Sequence, residues 1–111
     1  MIRAIPRQLL IHSAVHKYNP VKDAWGNPAW SNSRAISKIR IEPSSSLVRS
    51  KDNKEIQLRA LMFFDRRNSL PSGAAFGLGD CISWLDTDYT IVAIDYLYDH
   101  TRLHHLEVGL V

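Results

Sequence analysis

The chain has 111 residues, of which 45% are hydrophobic and 23% charged, and this composition fits one folded domain spanning residues 1–111. Fourteen lysines and arginines against eleven acidic residues give a net charge of +3, an excess too small to indicate nucleic-acid binding by itself. The single cysteine, Cys81, excludes an internal disulfide, and no apolar run approaches the roughly 20 residues needed to span a bilayer. The chain start also lacks the apolar core of a signal peptide, so we predict a soluble protein made in the cytoplasm, with no membrane partner.

The first third of the chain predicts one strand between less regular segments. Residues 1–10 hold an apolar run that is too short to distinguish an extension from a single helical turn. A strand is predicted over Ser13–Tyr18 and is expected to end at Asn19-Pro20, because a residue before proline is pushed out of the α region. Val21–Ser33 contains two tryptophans and is interpreted as a loop.

The middle of the chain predicts two strands separated by a long polar segment. Arg34–Glu42 alternates apolar and charged residues, which indicates a strand closed by Pro43. Residues 44–55 are mostly polar or charged and exceed the usual length of a connection, which predicts a mobile projecting loop with a functional role. Ile56–Asp65 restores the alternation and predicts a further strand.

One face of the predicted Ile56–Asp65 strand is unusual. Leu61 and Phe63 fall on the face that also carries Gln57, Arg59 and Asp65. Two large apolar side chains would be exposed there unless another surface covers them. We therefore predict a protein–protein interface at Leu61 and Phe63.

The last third of the chain predicts a three-stranded antiparallel meander. Cys81–Leu85, Tyr89–Tyr96 and residues 105–110 have strand composition or alternation, and Asp86-Thr87-Asp88 favours a turn between the first two. No segment has sustained helical periodicity. The predicted fold is therefore all-β, a small antiparallel β-barrel or sandwich with a long projecting loop and at most short helical turns.

Histidines and the cysteine are the candidates for chemistry. His12 and His16 lie on a predicted strand, where residues four apart are separated by about 13 Å, and adjacent His104 and His105 are expected on opposite faces. Surface or cross-strand histidines are therefore favoured over a zinc site. Cys81 lies in no nucleophile or phosphate-binding motif, and a small buried hydrophobe is the simpler interpretation. We predict no catalytic residue, no bound metal and no cofactor.

The tryptophans and tyrosines leave a second function open. An OB-like or SH3-like barrel binds nucleic acid by stacking bases on aromatic side chains of an exposed, basic strand face. The aromatic strands of this chain are poor in lysine and arginine, so core packing explains most of the rings better. Nucleic-acid binding is therefore kept as the alternative to a function in protein assembly.

Several stretches in combination carry a resemblance that covers nearly the whole chain. They are IPRQLLIHSAV, the Trp25-Gly26 turn, IRIEPSSSLVRSKDNKEIQLRALMFFD, GDCISW followed four residues later by YTIVAIDYLYD, and LHHLEVGLV. With these stretches the chain resembles the minor capsid proteins of tailed phages and prophages, of the small head-completion type. The layout is also similar to that of head–tail adaptor and stopper proteins.

This resemblance implies a structural virion protein at the neck, assembled in the host cytoplasm and docked as a ring under the portal. The implied partners are portal or adaptor ring proteins, tail or neck proteins, further copies of the chain, and packaged DNA. In related stoppers a long loop projects into the channel and helps to hold the DNA. That loop corresponds here to residues 44–55, with Arg49, Lys51, Asp52, Asn53 and Lys54 near its tip. Stopper proteins and the proteins of the adjacent adaptor ring share this layout, so the resemblance implies either role.

Overall fold

β-Strands account for most of the residues that the computed structural model describes, which are residues 6–49 and 52–111. In this part of the chain a 3-10 turn at Arg7–Leu9 precedes eight strands. They are β1 (His12–Lys22), β2 (Pro28–Pro43), β3 (Leu47–Arg49), β4 (Glu55–Gln57), β5 (Ala60–Asp65), β6 (Cys81–Trp84), β7 (Thr87–Asp99) and β8 (Arg102–Leu110). Six of them close into an antiparallel barrel in the order β1-β2-β5-β8-β7-β6, while β3 and β4 pair only with each other. The predicted antiparallel all-β fold is confirmed.

Alternating apolar residues of the barrel strands form the core. Because successive side chains of a strand point to opposite faces, every second residue of β5 and β8 turns inward. Met62, Val108 and Leu110 are fully buried in this way. Residues from the other strands complete the core, namely Ile36 and Ile39 of β2, Ile82 of β6 and Ile91 of β7.

The predicted C-terminal meander is confirmed, but its first turn lies elsewhere. Strands β6, β7 and β8 pair consecutively and antiparallel. The turn consists of Leu85 and Asp86, with φ angles of 49° and 61°, and Thr87 already belongs to β7. Two left-handed residues match the right-handed twist of the flanking strands, which permits a shorter turn than the predicted Asp86-Thr87-Asp88.

The predicted strand end at Asn19-Pro20 and the predicted loop over Val21–Ser33 are both wrong. Strands β1 and β2 stay paired through Lys22 and Pro28, and only the segment between them forms the turn. Asn19 absorbs the irregularity with a φ of 57°, a conformation that asparagine tolerates better than most residues. Proline is accepted at an edge where its missing N–H is not needed.

Residues 44–65 also differ from the expected loop followed by one strand. The predicted loop contains β3 and only the first residue of β4. A break at Leu58 and Arg59 separates the rest of β4 from β5 within the predicted Ile56–Asp65 strand. The break arises because the chain turns from the hairpin into the barrel at this point. Residues 7–9 form the helical turn that was one of the two alternatives for residues 1–10, and residues 1–5 lie outside the described residues.

The described molecule measures 50 × 30 × 25 Å. The antiparallel strand order places the β3–β4 hairpin at one end of the barrel and the β1–β2 turn at the other. The β3–β4 hairpin and the Leu85-Asp86 turn lie at one end, which we call the hairpin end. The β1–β2 and β7–β8 turns lie at the opposite end. In the described part of the chain, no helix is long and apolar enough to cross a membrane.

Candidate functional site

The β3–β4 hairpin is the largest element that does not belong to the barrel. Three residue pairs hold its strands together, Leu47 with Gln57, Val48 with Ile56, and Arg49 with Glu55. Val48 and Ile56 are half-buried, whereas Leu47 is 62% exposed. Such a short two-stranded ribbon is marginally stable alone, so its orientation depends on how its base is attached.

Backbone hydrogen bonds and one leucine attach the hairpin to the barrel. The Leu58 N–H donates to the Ser46 carbonyl at 2.9 Å, and the Arg59 N–H donates to the Leu110 carbonyl of β8 at 2.8 Å. The Leu58 side chain is only 4% exposed and packs over Gly109 on the outside of β8. These contacts give the hairpin a defined direction relative to the barrel.

Four of the five predicted channel-loop residues, Arg49, Asp52, Asn53 and Lys54, lie in the described part of this hairpin near its tip and are exposed. Arg49 donates from Nη1 to Asn53 Oδ1 at 3.0 Å and to the Asn53 carbonyl at 3.3 Å. Arg49 Nη2 also lies 3.9 Å from Glu55 Oε1, a solvent-exposed ion pair of the kind that contributes little stability. The structure therefore brings Arg49 and Asn53 together, with Asp52 and Lys54 exposed nearby, and Lys51 lies outside the described residues.

Leu61 and Phe63 lie on the outer face of β5, close to the hairpin base, and both are half-buried. Leu61 is opposite Glu42 of β2 and Gly109 of β8, whereas Phe63 is opposite Arg40 and Glu107. The Phe63 ring also lies 6.3 Å from the ring of His105. Their role as an interface stays a prediction.

Asp65, which the same alternation placed on that outer face, is fully buried. Its carboxylate accepts the backbone N–H groups of Arg67 and Asn68 at 3.1 and 2.8 Å. The side chain therefore stabilises the turn after β5 and does not contribute to the outer surface.

A buried polar network near the opposite end was not predicted from the sequence. Arg34 Nε donates to His16 Nδ1 at 3.0 Å, and because a guanidinium has no acceptor, His16 must donate from Nε2 to Asp80 Oδ2 at 2.8 Å. Burial lowers the pKa of His16, and the Arg34 charge adds to this effect, while the bond to Asp80 opposes it. The Gly77 N–H also donates to Asp80 at 2.9 Å, which leaves a neutral histidine in a satisfied network.

An open groove of about 480 Å³ lies beside this network, lined in part by Tyr18, Arg34, Phe76 and Asp80. Within the described residues, every buried side-chain nitrogen and oxygen has a hydrogen-bond partner. The network therefore serves to connect β1, β2 and the segment before β6. His16 and Asp80 are 64 residues apart, so no local spacing could have indicated their contact.

The comparison with protein families now decides the class of the chain. A family model described as minor capsid protein matches residues 6–110. The chain belongs to the minor capsid protein family. This minor capsid protein is accordingly a structural component of a phage virion and not an enzyme. Searches of the curated proteins and of the solved structures gave no significant match.

The histidines of the minor capsid protein differ in part from the expected arrangement. His104 and His105 do not point to opposite faces, because a register shift in β8 brings their Nδ1 atoms within 2.7 Å. His105 also bonds Glu107 at 3.0 Å. His12 accepts the Ile41 N–H at 3.0 Å. No group of three or more histidine, cysteine or acidic side chains among the described residues is arranged to hold a metal ion.

Cys81 of the minor capsid protein is buried, as predicted, and burial raises the pKa of its thiol. The two tryptophans of the predicted loop have different surroundings. Trp30 Nε1 donates to the Gly79 carbonyl at 3.1 Å, whereas Trp25 is 87% exposed at the tip of the β1–β2 hairpin. Asp23 Oδ1 accepts the N–H groups of Trp25 and Asn27 at 2.8 and 2.9 Å and so holds this tip in shape. The sequence indicated a loop with two tryptophans, but it did not indicate that Trp25 is exposed.

Proposed function

We propose that this minor capsid protein is a component of the head–tail connector, in the head-closure or stopper ring under the portal at the virion neck. In this position it retains the packaged DNA and provides a surface for tail attachment. The observation that carries the proposal is the β3–β4 hairpin, which leaves a closed barrel at one end and carries exposed charges at its tip. A barrel with a projecting ribbon can occupy a pore without any chemical step.

The attachment of the hairpin supports this role. Its base is held by backbone bonds from Leu58 and Arg59, so the tip is presented in one direction while only two short strands need to be ordered. Tips of neighbouring copies bear both signs of charge in Arg49, Asp52 and Lys54, and in the described part of the chain no strand pairs with the outer edges of β3 and β4. Such tips can pair through backbone bonds and opposite charges to narrow a channel that contains DNA.

The two ends of the molecule support contacts with different neighbours. In the proposed ring, the half-buried Leu61 and Phe63 near the hairpin end contact a portal or adaptor ring protein. The exposed Trp25 at the opposite end contacts the following neck or tail protein, because a tryptophan held on an ordered turn loses little entropy when it binds. Further copies of the chain complete the ring.

Deletion of Lys51–Lys54 tests the proposed function. The purified variant is expected to keep its unfolding midpoint, because no buried apolar side chain is removed, and phage carrying it should contain the protein at the neck but lose packaged DNA. Mass spectrometry of purified virions, immunogold location and the DNA content of heads measure these outcomes. A variant with four glycine and serine residues in place of Lys51–Lys54 keeps the length and separates the effect of charge from that of reach.

Three results would contradict the proposal in distinct ways. Absence of the protein from virions would remove the neck assignment and leave nucleic-acid binding as the next function to measure. DNA-filled heads that retain DNA but attach no tail would assign the chain to the adaptor ring and not to the stopper. An unfolded deletion variant would show that residues 51–54 are needed for the fold.

A further inference from the structure

Strands β1 and β2 extend beyond the part of each strand that belongs to the barrel. β1 pairs with β6 only over residues 15–17, and β2 pairs with β5 only over residues 39–43. The two strands nevertheless stay paired with each other as far as Lys22 and Pro28, next to the Trp25 turn. They therefore leave the barrel as a two-stranded ribbon, in which each strand has one edge that faces away from the other.

The outer edge of β1 in this ribbon is protected against a further strand. Pro20 has no N–H to donate, and Asn19 interrupts the extended backbone with a φ of 57°. Lys17 and Lys22 place charges at the two ends of this edge. Proline, lysine and local irregularity are features by which natural proteins prevent pairing at a sheet edge.

The outer edge of β2 lacks these features over residues 29–35, which we call the open edge. It contains no proline, no lysine and no residue with a positive φ. Its one charged side chain, Arg34, donates to His16 and to the Ala75 carbonyl, so this side chain does not protect the edge. In the described part of the chain, no strand pairs with β2 along the open edge. The two edges of one ribbon thus differ, and only that of β2 is suited to accept a strand.

The backbone groups of the open edge point away from β1. Ser37, two residues beyond the open edge, exchanges two backbone hydrogen bonds with Leu70, at 2.9 and 3.0 Å, on the side opposite to β1. Because successive residues of a strand direct these groups to alternate sides, Ala35 and Ser33 direct their N–H and C=O groups the same way as Ser37. Both residues are exposed. A segment placed beside them can therefore continue the pairing that Leu70 begins.

The side chains of β2 determine which kind of segment fits beside it. Four small residues, Ala29, Ser31, Ser33 and Ala35, alternate along the open edge and share one face of the ribbon. Large side chains of an added strand have room beside them, since opposed residues of paired strands have Cβ atoms only about 5 Å apart. The matching segment is extended and free of proline, with β-branched or aromatic residues at every second position.

We propose that the open edge binds such an extended segment of the neighbouring neck or tail protein, which becomes the third strand of the ribbon. In this mode of recognition the main-chain hydrogen bonds provide the affinity and the alternate side chains provide the specificity. The open edge belongs to the same ribbon as the exposed Trp25, which the proposed function places against that neighbour, so one partner contacts both. The identity of the partner rests on the proposed function, whereas the ability of the edge to accept a strand does not.

A photo-reactive phenylalanine analogue, introduced in turn at Ser31, Ser33 and Ala35, tests strand addition in assembled virions. Alternate residues of a strand are about 7 Å apart, so the cross-linked position on the partner should shift by two residues at each step, within one segment. Mass spectrometry of the cross-linked peptides measures this order. Virions that contain the protein but give no cross-links, or cross-links scattered over several segments, would overturn the proposal. Cross-links to another copy of this chain would also overturn it, because they would assign the edge to self-association.

Ser33→Pro and Ser33→Ala show whether the main chain is recognised. Proline removes the outward N–H and leaves the bonds to β1 in place, so the purified variant should keep its unfolding midpoint while the cross-link yield from position 35 decreases about tenfold. Alanine removes only the hydroxyl, so the yield should stay unchanged. An equal decrease in both variants would show recognition of the serine side chain and contradict strand addition. If Ser33→Pro lowers the midpoint, Ser33→Lys replaces it, because an edge lysine blocks pairing without altering the backbone.

Immunogold labelling of the same virions measures the location of the protein separately. Protein at the neck without ordered cross-links would refute strand addition and leave the connector function intact. Ordered cross-links from a protein located elsewhere in the virion would refute the connector function and retain the strand-accepting edge. Failure of this inference and failure of the proposed function are therefore distinguishable.

Discussion

At the scale of single residues, His16 shows how one side chain can link distant parts of the chain. It is fully buried between the Arg34 guanidinium and the Asp80 carboxylate, and it accepts a hydrogen bond from Arg34 and donates one to Asp80. Protonation of Nδ1 would break the bond from Arg34 and place two positive charges side by side. The neutral imidazole is therefore the form that the folded state requires.

This environment predicts a loss of stability in acid. Because burial holds the pKa of His16 below its ordinary value of 6.5, the unfolded chain binds the proton first as the pH falls. Neutral His16 contributes its full share of the free energy of unfolding above about pH 6.5. Below this pH that share decreases, by at most about 1.4 kcal/mol per pH unit for one proton. Urea unfolding between pH 7.5 and 5.5 measures this slope.

His16→Gln should lower stability at pH 7.5 and also reduce the dependence on pH, with exposed His100→Gln as the control. Some dependence should remain, because burial and the Arg40 charge also lower the pKa of His12. An unchanged slope in His16→Gln would show that another group is responsible.

Leu61 and Phe63 carry the second prediction at this scale. Changing both to serine should cost little stability, because both are half-buried on the outer face of β5, yet it should reduce incorporation into particles. Met62→Ser is the matched control, since Met62 is 0% exposed and its loss should cost several kcal/mol, in the range of about 2–5. A comparable loss in Leu61→Ser with Phe63→Ser would show that these side chains support the barrel.

At the scale of elements, the contact between Leu58 and Gly109 determines how the hairpin sits on the barrel. A Cβ atom added to Gly109 would lie 2.9 Å from Leu58 Cδ2 and 3.2 Å from Ala93 Cβ. Carbon atoms do not approach so closely without displacement. Glycine at this position therefore provides the space in which the hairpin base packs against β8.

Gly109→Ala should accordingly destabilise the protein by about 1–3 kcal/mol, because it overfills a packed contact. In a background of Leu58→Ala most of this cost should disappear, which a double-mutant cycle in urea would show as coupling. Gly77→Ala is the control, since its added Cβ would meet Asp80 at an ordinary 3.5 Å. If the effects of Gly109→Ala and Leu58→Ala on the free energy of unfolding are additive, the two residues are not coupled through their packing contact.

At the scale of the whole molecule, the barrel places its projecting turns at opposite ends. The antiparallel strand order sends the β3–β4 hairpin and the Trp25 turn to opposite ends of a 50 Å body. The proposed connector function assigns a different neighbour to each of these two ends.

The sequence by itself determined the strand class, the apolar residues of β5 and β8, and the exposed polar tip of the hairpin. These features depend on alternation and composition, which are local properties. The full extents of β1 and β2 could not be predicted, because pairing over ten residue pairs outweighed the turn preference of Asn19-Pro20. The prediction that His104 and His105 point to opposite faces was wrong for a similar reason, because the register shift in β8 depends on its pairing with β7.

Only the tertiary structure decided which distant residues meet. Closure of the barrel joins His16 to Asp80 across 64 residues and places Leu58 over Gly109. Contacts of this kind depend on the path of the chain in space, for which the residues near either partner carry no local signal.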